Sequence, residues 1–192
     1  MTATHIHVAA TVAGQPVSVT EVDKREAALR NSPQTAALPR PGTSEGRQLR
    51  RWLTQLMVTE RVIAHEAAAL GVAVTPEPPG EEAILPHLVA RLEIGSIAAS
   101  ALADPLARAL YATVTADVDV DDDAIADYLR RNPSRFAGAV DPATAVAELL
   151  RGAARRRAFR LWLEQRRAAL VWLAPGYEHP GDPRQPDNIH KH

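Results

Sequence analysis

The chain has 192 residues, 46% of them hydrophobic, and a formal net charge of −1, which fits one domain able to bury roughly 70% of its unfolded surface. A charge so near zero argues against nucleic acid as a partner, and the composition is not that of a disordered chain. No cysteine is present, so disulfides, thiolate nucleophiles and thiolate metal sites are excluded, and a metal must be held by His, Asp, Glu or water.

No basic stretch followed by an apolar one opens the chain, and no run approaches the ~18 apolar residues of a membrane span. The expected location is the cytoplasm, with no membrane partner. Residues 6–12 read as a strand, followed by a turn at Gly14 and Gln15. Ser18 and Glu21 have capping-box spacing, so a helix is predicted from Val19 to about Arg30. Pro33, Pro39 and Pro41 mark a loop. A long helix follows over residues 45–70, with Leu49, Trp52, Leu53, Leu56, Ile63, Ala67 and Leu70 on one side and Gly71 closing it.

After another loop at residues 75–80, weaker helical patterns cover 81–103, broken near Pro86, and 105–113. Asp121 or Asp122 caps a short helix that Asn132-Pro133 stops. Asp141 as N-cap and Pro142 at N1 open the last long helix, to about Ala168. Residues 170–173 read as a strand, and residues 175–192 are rich in proline and glycine. The predicted fold is mainly α, one domain over residues 1–192: strand and turn over 1–18, helices over 19–168, strand and proline-rich tail over 169–192.

Three stretches carry a resemblance. Residues 12–22 (VAGQPVSVTEV), 49–71 and 120–136 (VDDDAIADYLRRNPSRF) resemble the SurA/PpiC-type parvulin chaperones. They match the opening strand and helix start, the helix ending in an acidic-Ala stretch and glycine, and the segment that introduces the parvulin domain. After Phe136 the parvulin domain is missing, and Asp141 opens what looks like the closing helix. The resemblance implies a SurA-N-like helical lobe whose first and last strands pair, without prolyl isomerase activity. Family members are usually exported, so the cytoplasmic expectation departs from them. The chain is also similar to small proteins of antibiotic gene clusters labelled malonyl-CoA–ACP transacylase. Such an enzyme needs a serine on a G-x-S-x-G elbow with a histidine partner. The expectation is that no G-x-S-x-G is present and that 192 residues are too few for the usual fold, so the similarity implies a setting in specialised metabolism rather than a chemistry.

Five of the seven histidines sit near the two ends: His5 and His7, and His179, His190 and His192. The i, i+2 spacing of each H-x-H pair puts both rings on one face of a strand. Paired end strands would bring the two H-x-H elements together as ligands for one divalent transition metal, zinc before others. The alternative is solvated histidines on fraying ends. The last helix carries Arg151, Arg155, Arg156, Arg157, Arg160, Arg166 and Arg167, read as a solvated face balanced by Glu148, Glu164 and the acidic run 119–123; the sharper reading is a patch for a carrier protein or a phosphate. Trp52, Trp162, Trp172, Phe136 and Phe159 read as core, and His65 as a helix-surface or packing residue.

The first function reading is a chaperone-like or accessory binding protein that holds a hydrophobic small molecule, a chain or an acyl intermediate. Its expected cleft is lined by Leu56, Ile63, Phe159 and Leu163. The second is a small metal-dependent isomerase or cyclase using the terminal histidines; the third is a structural docking partner of a larger enzyme.

Overall fold

The computed structural model describes residues 7–182. Among them the protein is mainly helical, with eight α-helices and a three-stranded antiparallel sheet of order β2-β1-β3. The described residues form two compact units, 7–66 with 166–182, and 67–165. No helix among the described residues is long and apolar enough to cross a membrane.

In the first unit, strand β1 (Val8–Val12) turns back into strand β2 (Gln15–Ser18). Ala13 and Gly14 link them with φ of 48° and 77°. Two left-handed residues in a two-residue loop are the signature of a type I′ hairpin, whose twist matches that of the strands. The turn thus lies one residue earlier than expected, and β2 is a strand the sequence reading missed. Pro16 speaks against a strand interior, but β2 is a sheet edge, where a missing N–H costs no ladder bond. A register shift between Val8 and Ala10 lets both Ala9 and Ala10 be buried.

Strand β3 (Val171–Leu173) lies antiparallel to β1, with Ala10 opposite Leu173 and Val12 opposite Val171. Flanking bonds from Ala13 N to Leu170 O (2.8 Å) and from Ala174 N to Ala9 O (2.9 Å) extend the pairing. The expected union of the first and last strands is therefore present. Trp172 points away from any core at 55% exposure, against its expected burial, because alternation along β3 places it opposite to its buried-side neighbours.

Helix α1 (Val19–Arg30) starts on the expected capping box: Glu21 N donates to Ser18 Oγ (3.2 Å), and Ser18 N donates to Glu21 Oε2 (2.7 Å). The Ser18 backbone N–H holds the Glu21 carboxyl below its ordinary 4.5, helped by the Ser18 hydroxyl and the Arg61 guanidinium against the opposing effect of burial. A carboxyl with a depressed folded pKa stabilises the fold above its unfolded pKa, and that contribution is lost as pH falls through the folded value. Glu21→Ala is therefore expected to lower stability by roughly 0.5–1 kcal/mol at neutral pH. The melting-temperature gap to wild type should close as pH drops below 4.5; a gap that persists in acid would show that the cap works through something other than charge.

Residues Pro33–Ala37 form a 3-10 turn inside the expected loop. Helix α2 (Ser44–Ala69) then begins within a residue of its expected start. Arg50 reaches Asp23 (2.6 Å) and Glu26 (3.1 Å) on α1, and Arg61 pairs with Glu21, so ion pairs tie α1 to α2; Val17, Val22, Leu53 and Val58 of this unit are buried.

The second unit opens on the end of α2. Gly71 (φ 67°) is the C′ residue: Val72 N donates to Ala67 O (2.8 Å) and Gly71 N to Ala68 O (3.2 Å), a Schellman closure. The segment expected to be helical with a break near Pro86 is three short helices, α3 (Glu81–Ile84), α4 (Leu88–Ile94) and α5 (Ser96–Ala101), because Gly95 interrupts it as well. Asp104 and Pro105 start α6 (Pro105–Val114), Asp121 caps α7 (Asp122–Arg131), and Asp141 caps α8 (Pro142–Leu170) through Ala143 N (3.1 Å) and Thr144 N (3.2 Å). Phe159 of α8 centres this unit's core, edge-on to Tyr111 (5.2 Å) and stacked on Trp162 (5.7 Å).

Candidate functional site

Of the proposed metal ligands, His5, His190 and His192 lie outside the described residues. His7 is exposed and precedes β1; its carbonyl accepts from Val19 N at 2.8 Å. His179 Nδ1 accepts from Gly181 N at 3.0 Å, closing a turn in the tail. Burial lowers the His179 pKa below 6.5, the Arg167 charge lowers it further, and Asp182 opposes both. Among the described residues no group of three or more His, Asp or Glu side chains is placed to hold a metal.

Leu56 and Ile63, in the first unit, and Phe159 and Leu163, in the second, are all buried, at 6%, 3%, 0% and 5% exposure. An open hollow is found elsewhere in the second unit. It encloses about 320 Å³ between α3, α6 and α8, and its wall is apolar: Pro79, Ala83, Ile84 and Ala112. Polar groups reach it from α6 as Tyr111 and from α8 as Glu148, Arg151 and Arg155. Volume and lining match small-molecule sites, which run roughly 300–1,000 Å³ and carry a few placed polar groups on apolar walls.

Helical periodicity builds this wall. Glu148, Arg151, Gly152 and Arg155 repeat at i, i+3, i+4 and i+7, one stripe of α8. Tyr111 is only 6% exposed. Burial raises its pKa, and the nearby Arg156 and Arg155 charges pull it back. Its ring is fixed against Phe159, yet its hydroxyl makes no hydrogen bond among the described residues. The hydroxyl oxygen is not itself fully buried, so it opens to the hollow as a donor available to whatever enters.

The arginines of α8 do not form one uniform solvated face. Arg156 is 4% exposed, bonded to Glu93 (2.8 Å) and to Ile84 O (3.2 Å). Arg151 pairs with Asp119 (2.8 Å), Arg160 with Glu164 (2.7 Å) and, in the first unit, Arg166 with Glu66 (2.7 Å). Also in the first unit, Arg167 donates to Gln55 and Thr59, and burial lowers its pKa. Arg155 has only long contacts to Ala116 O (3.4 Å) and Val118 O (3.5 Å). Neither the buried arginines nor Tyr111 carries a sequence motif; the stripe of α8 is legible, but the partner across the hollow is not.

The expectation that no G-x-S-x-G is present is wrong: Gly42-Thr43-Ser44-Glu45-Gly46 spells it. No strand precedes it, and Thr43 caps α2 by accepting from Gly46 N (3.0 Å). Ser44 makes no hydrogen bond to a histidine among the described residues. The glycines serve the helix entry instead: Gly42 has φ 81°, and a Cβ on Gly46 would collide with Arg40 O. The strand–turn–helix context of a nucleophile elbow is absent there.

The model of a family of unknown function, DUF7158, matches residues 8–45. That span holds the hairpin, α1 and the entry to α2. No curated protein and no solved structure matches the chain.

Proposed function

We propose that this protein is an accessory binding protein that holds an acyl intermediate, in the setting of specialised metabolism implied by its similarity to antibiotic-cluster proteins. The observation that supports the reading is the hollow of about 320 Å³ in the second unit, apolar along Pro79, Ala83, Ile84 and Ala112 and polar at one wall. Nothing in its lining is arranged as a nucleophile with a base, which favours holding over turnover. The wider choice of a metal-dependent enzyme rests on His5, His190 and His192, outside the described residues.

Calorimetric titration of the full chain with octanoic acid tests the reading. Ala112→Leu fills the hollow from α6 with a good helix former and is expected to weaken binding at least about tenfold, about 1.4 kcal/mol. Absence of binding, or equal binding by wild type and variant, would remove the hollow as the holding site.

A further inference from the structure

We propose that the hollow takes its ligand by an anionic end, a carboxylate seated between the guanidinium of Arg155 and the hydroxyl of Tyr111, with the ligand's carbon chain against Ala83, Ile84 and Ala112. This rests on the holding reading above and names the class of ligand held: an acid with an apolar body, not a neutral lipid, ester or alcohol.

Three observations carry it. First, Tyr111 is 6% exposed, lines the hollow and opens to it a hydroxyl with no protein partner among the described residues. A hydroxyl donor in such a position gains most from an ionised acceptor, since charge-assisted bonds are roughly twice as strong as neutral ones. Second, the charges around it are unequally committed. Arg151 is answered by Asp119 at 2.8 Å and Arg156 by Glu93 at 2.8 Å. Arg155 hydrogen-bonds only carbonyl oxygens, at 3.4 and 3.5 Å, and its charge is shared at longer range with Asp119, which is already bonded to Arg151. Of the two guanidinium groups lining the hollow, Arg155 is therefore the one without a direct ion pair among the described residues. Its fork of N–H groups suits a carboxylate bound through both oxygens.

Third, Glu148 sets a direction. It also lines the hollow and makes no ion pair among the described residues. Glu148 and Arg155 stand at i, i+7 on α8, about 10 Å apart along the helix axis. An anion is repelled at the Glu148 end and drawn to the Arg155 end, so the acid has one favoured orientation. A neutral chain has neither preference.

The test compares octanoate with octanamide, which has the same chain and no charge, by calorimetric titration of the full chain. Wild type is expected to bind the acid about tenfold or more tightly over the amide, with the preference shrinking at high salt. Arg155→Gln should abolish the preference by weakening acid binding about tenfold. Tyr111→Phe keeps the ring against Phe159 and removes only the free hydroxyl, so it should fold as wild type and lose severalfold in acid binding alone. Arg160→Gln, removing a guanidinium of α8 that pairs with Glu164 and does not line the hollow, should leave the preference in place. Equal binding of acid and amide by wild type, or an undiminished preference in Arg155→Gln, overturns the anionic end while the holding function stands. Binding of neither ligand overturns both.

Discussion

Replacing Phe159 by alanine is expected to be among the most damaging single changes in the second unit, at about 3–5 kcal/mol, the usual cost of deleting a buried aromatic ring. Phe159 is fully buried, and its ring meets Tyr111 edge-on at 5.2 Å and Trp162 face-on at 5.7 Å. Its removal takes away transfer free energy, two ring contacts and the support that fixes Tyr111. Urea unfolding followed by fluorescence measures the loss. Phe159→Leu, which keeps most of the volume, should recover a large part of the stability but not the Tyr111 contact. Octanoate binding should therefore be weaker in Phe159→Leu than its stability alone explains. A Phe159→Ala protein within about 1 kcal/mol of wild type would show that the site collapses around the gap, and that the ring is not the unit's centre.

The second large effect belongs to Gln55, fully buried in the first unit. Its Nε2 donates to Tyr177 O at 2.7 Å, and its Oε1 accepts from Arg167 Nη2. One side chain thus ties α2 both to the end of α8 and to the segment after β3. Gln55→Leu preserves volume and strips both bonds. A buried polar group left without its partner costs about 1–3 kcal/mol, so with two affected the loss is expected to be roughly 2–4 kcal/mol. Because Arg167 is a charged group already disfavoured by burial, its share should be the larger. Gln55→Glu separates the two, since it gives Arg167 a carboxylate and takes the donor from Tyr177 O. Its stability should fall between wild type and Gln55→Leu, with faster amide hydrogen exchange confined to β3 and the turn after it. Unchanged exchange there in both variants would mean that the tail is held by other contacts.

What was legible in the sequence was local. Ser18 with Glu21 and Asp141 with Pro142 each announce a helix start because the capping bonds run between residues two or three apart. The pairing of β1 with β3 was expected from a resemblance and is present. Strand β2 was missed because Pro16 argues against strand pairing unless the strand is known to be an edge, which is a property of the whole sheet. Arg156 reads as a surface residue in any window, since the carbonyl of Ile84 and the carboxylate of Glu93 that satisfy it come from 72 and 63 residues away. The hollow is hidden for the same reason. Tyr111 and Arg155 have no spacing rule between them, and their meeting is decided by how α6 and α8 pack around Phe159.

The order in which the sheet is made has a consequence for the newborn chain. Strand β1 is flanked by β2, its immediate successor, and by β3, which arrives only after residue 170. At about 5–20 residues per second, the ribosome needs on the order of ten seconds or more to cover that interval. Throughout it, the hairpin displays one unpaired backbone edge of β1, the kind of edge that recruits strands from other chains. The segment 67–165 is complete before that edge can be covered. The last unit to be finished is therefore the one that was begun first, and polysomes crowded with half-made copies are where this protein is most exposed to mispairing.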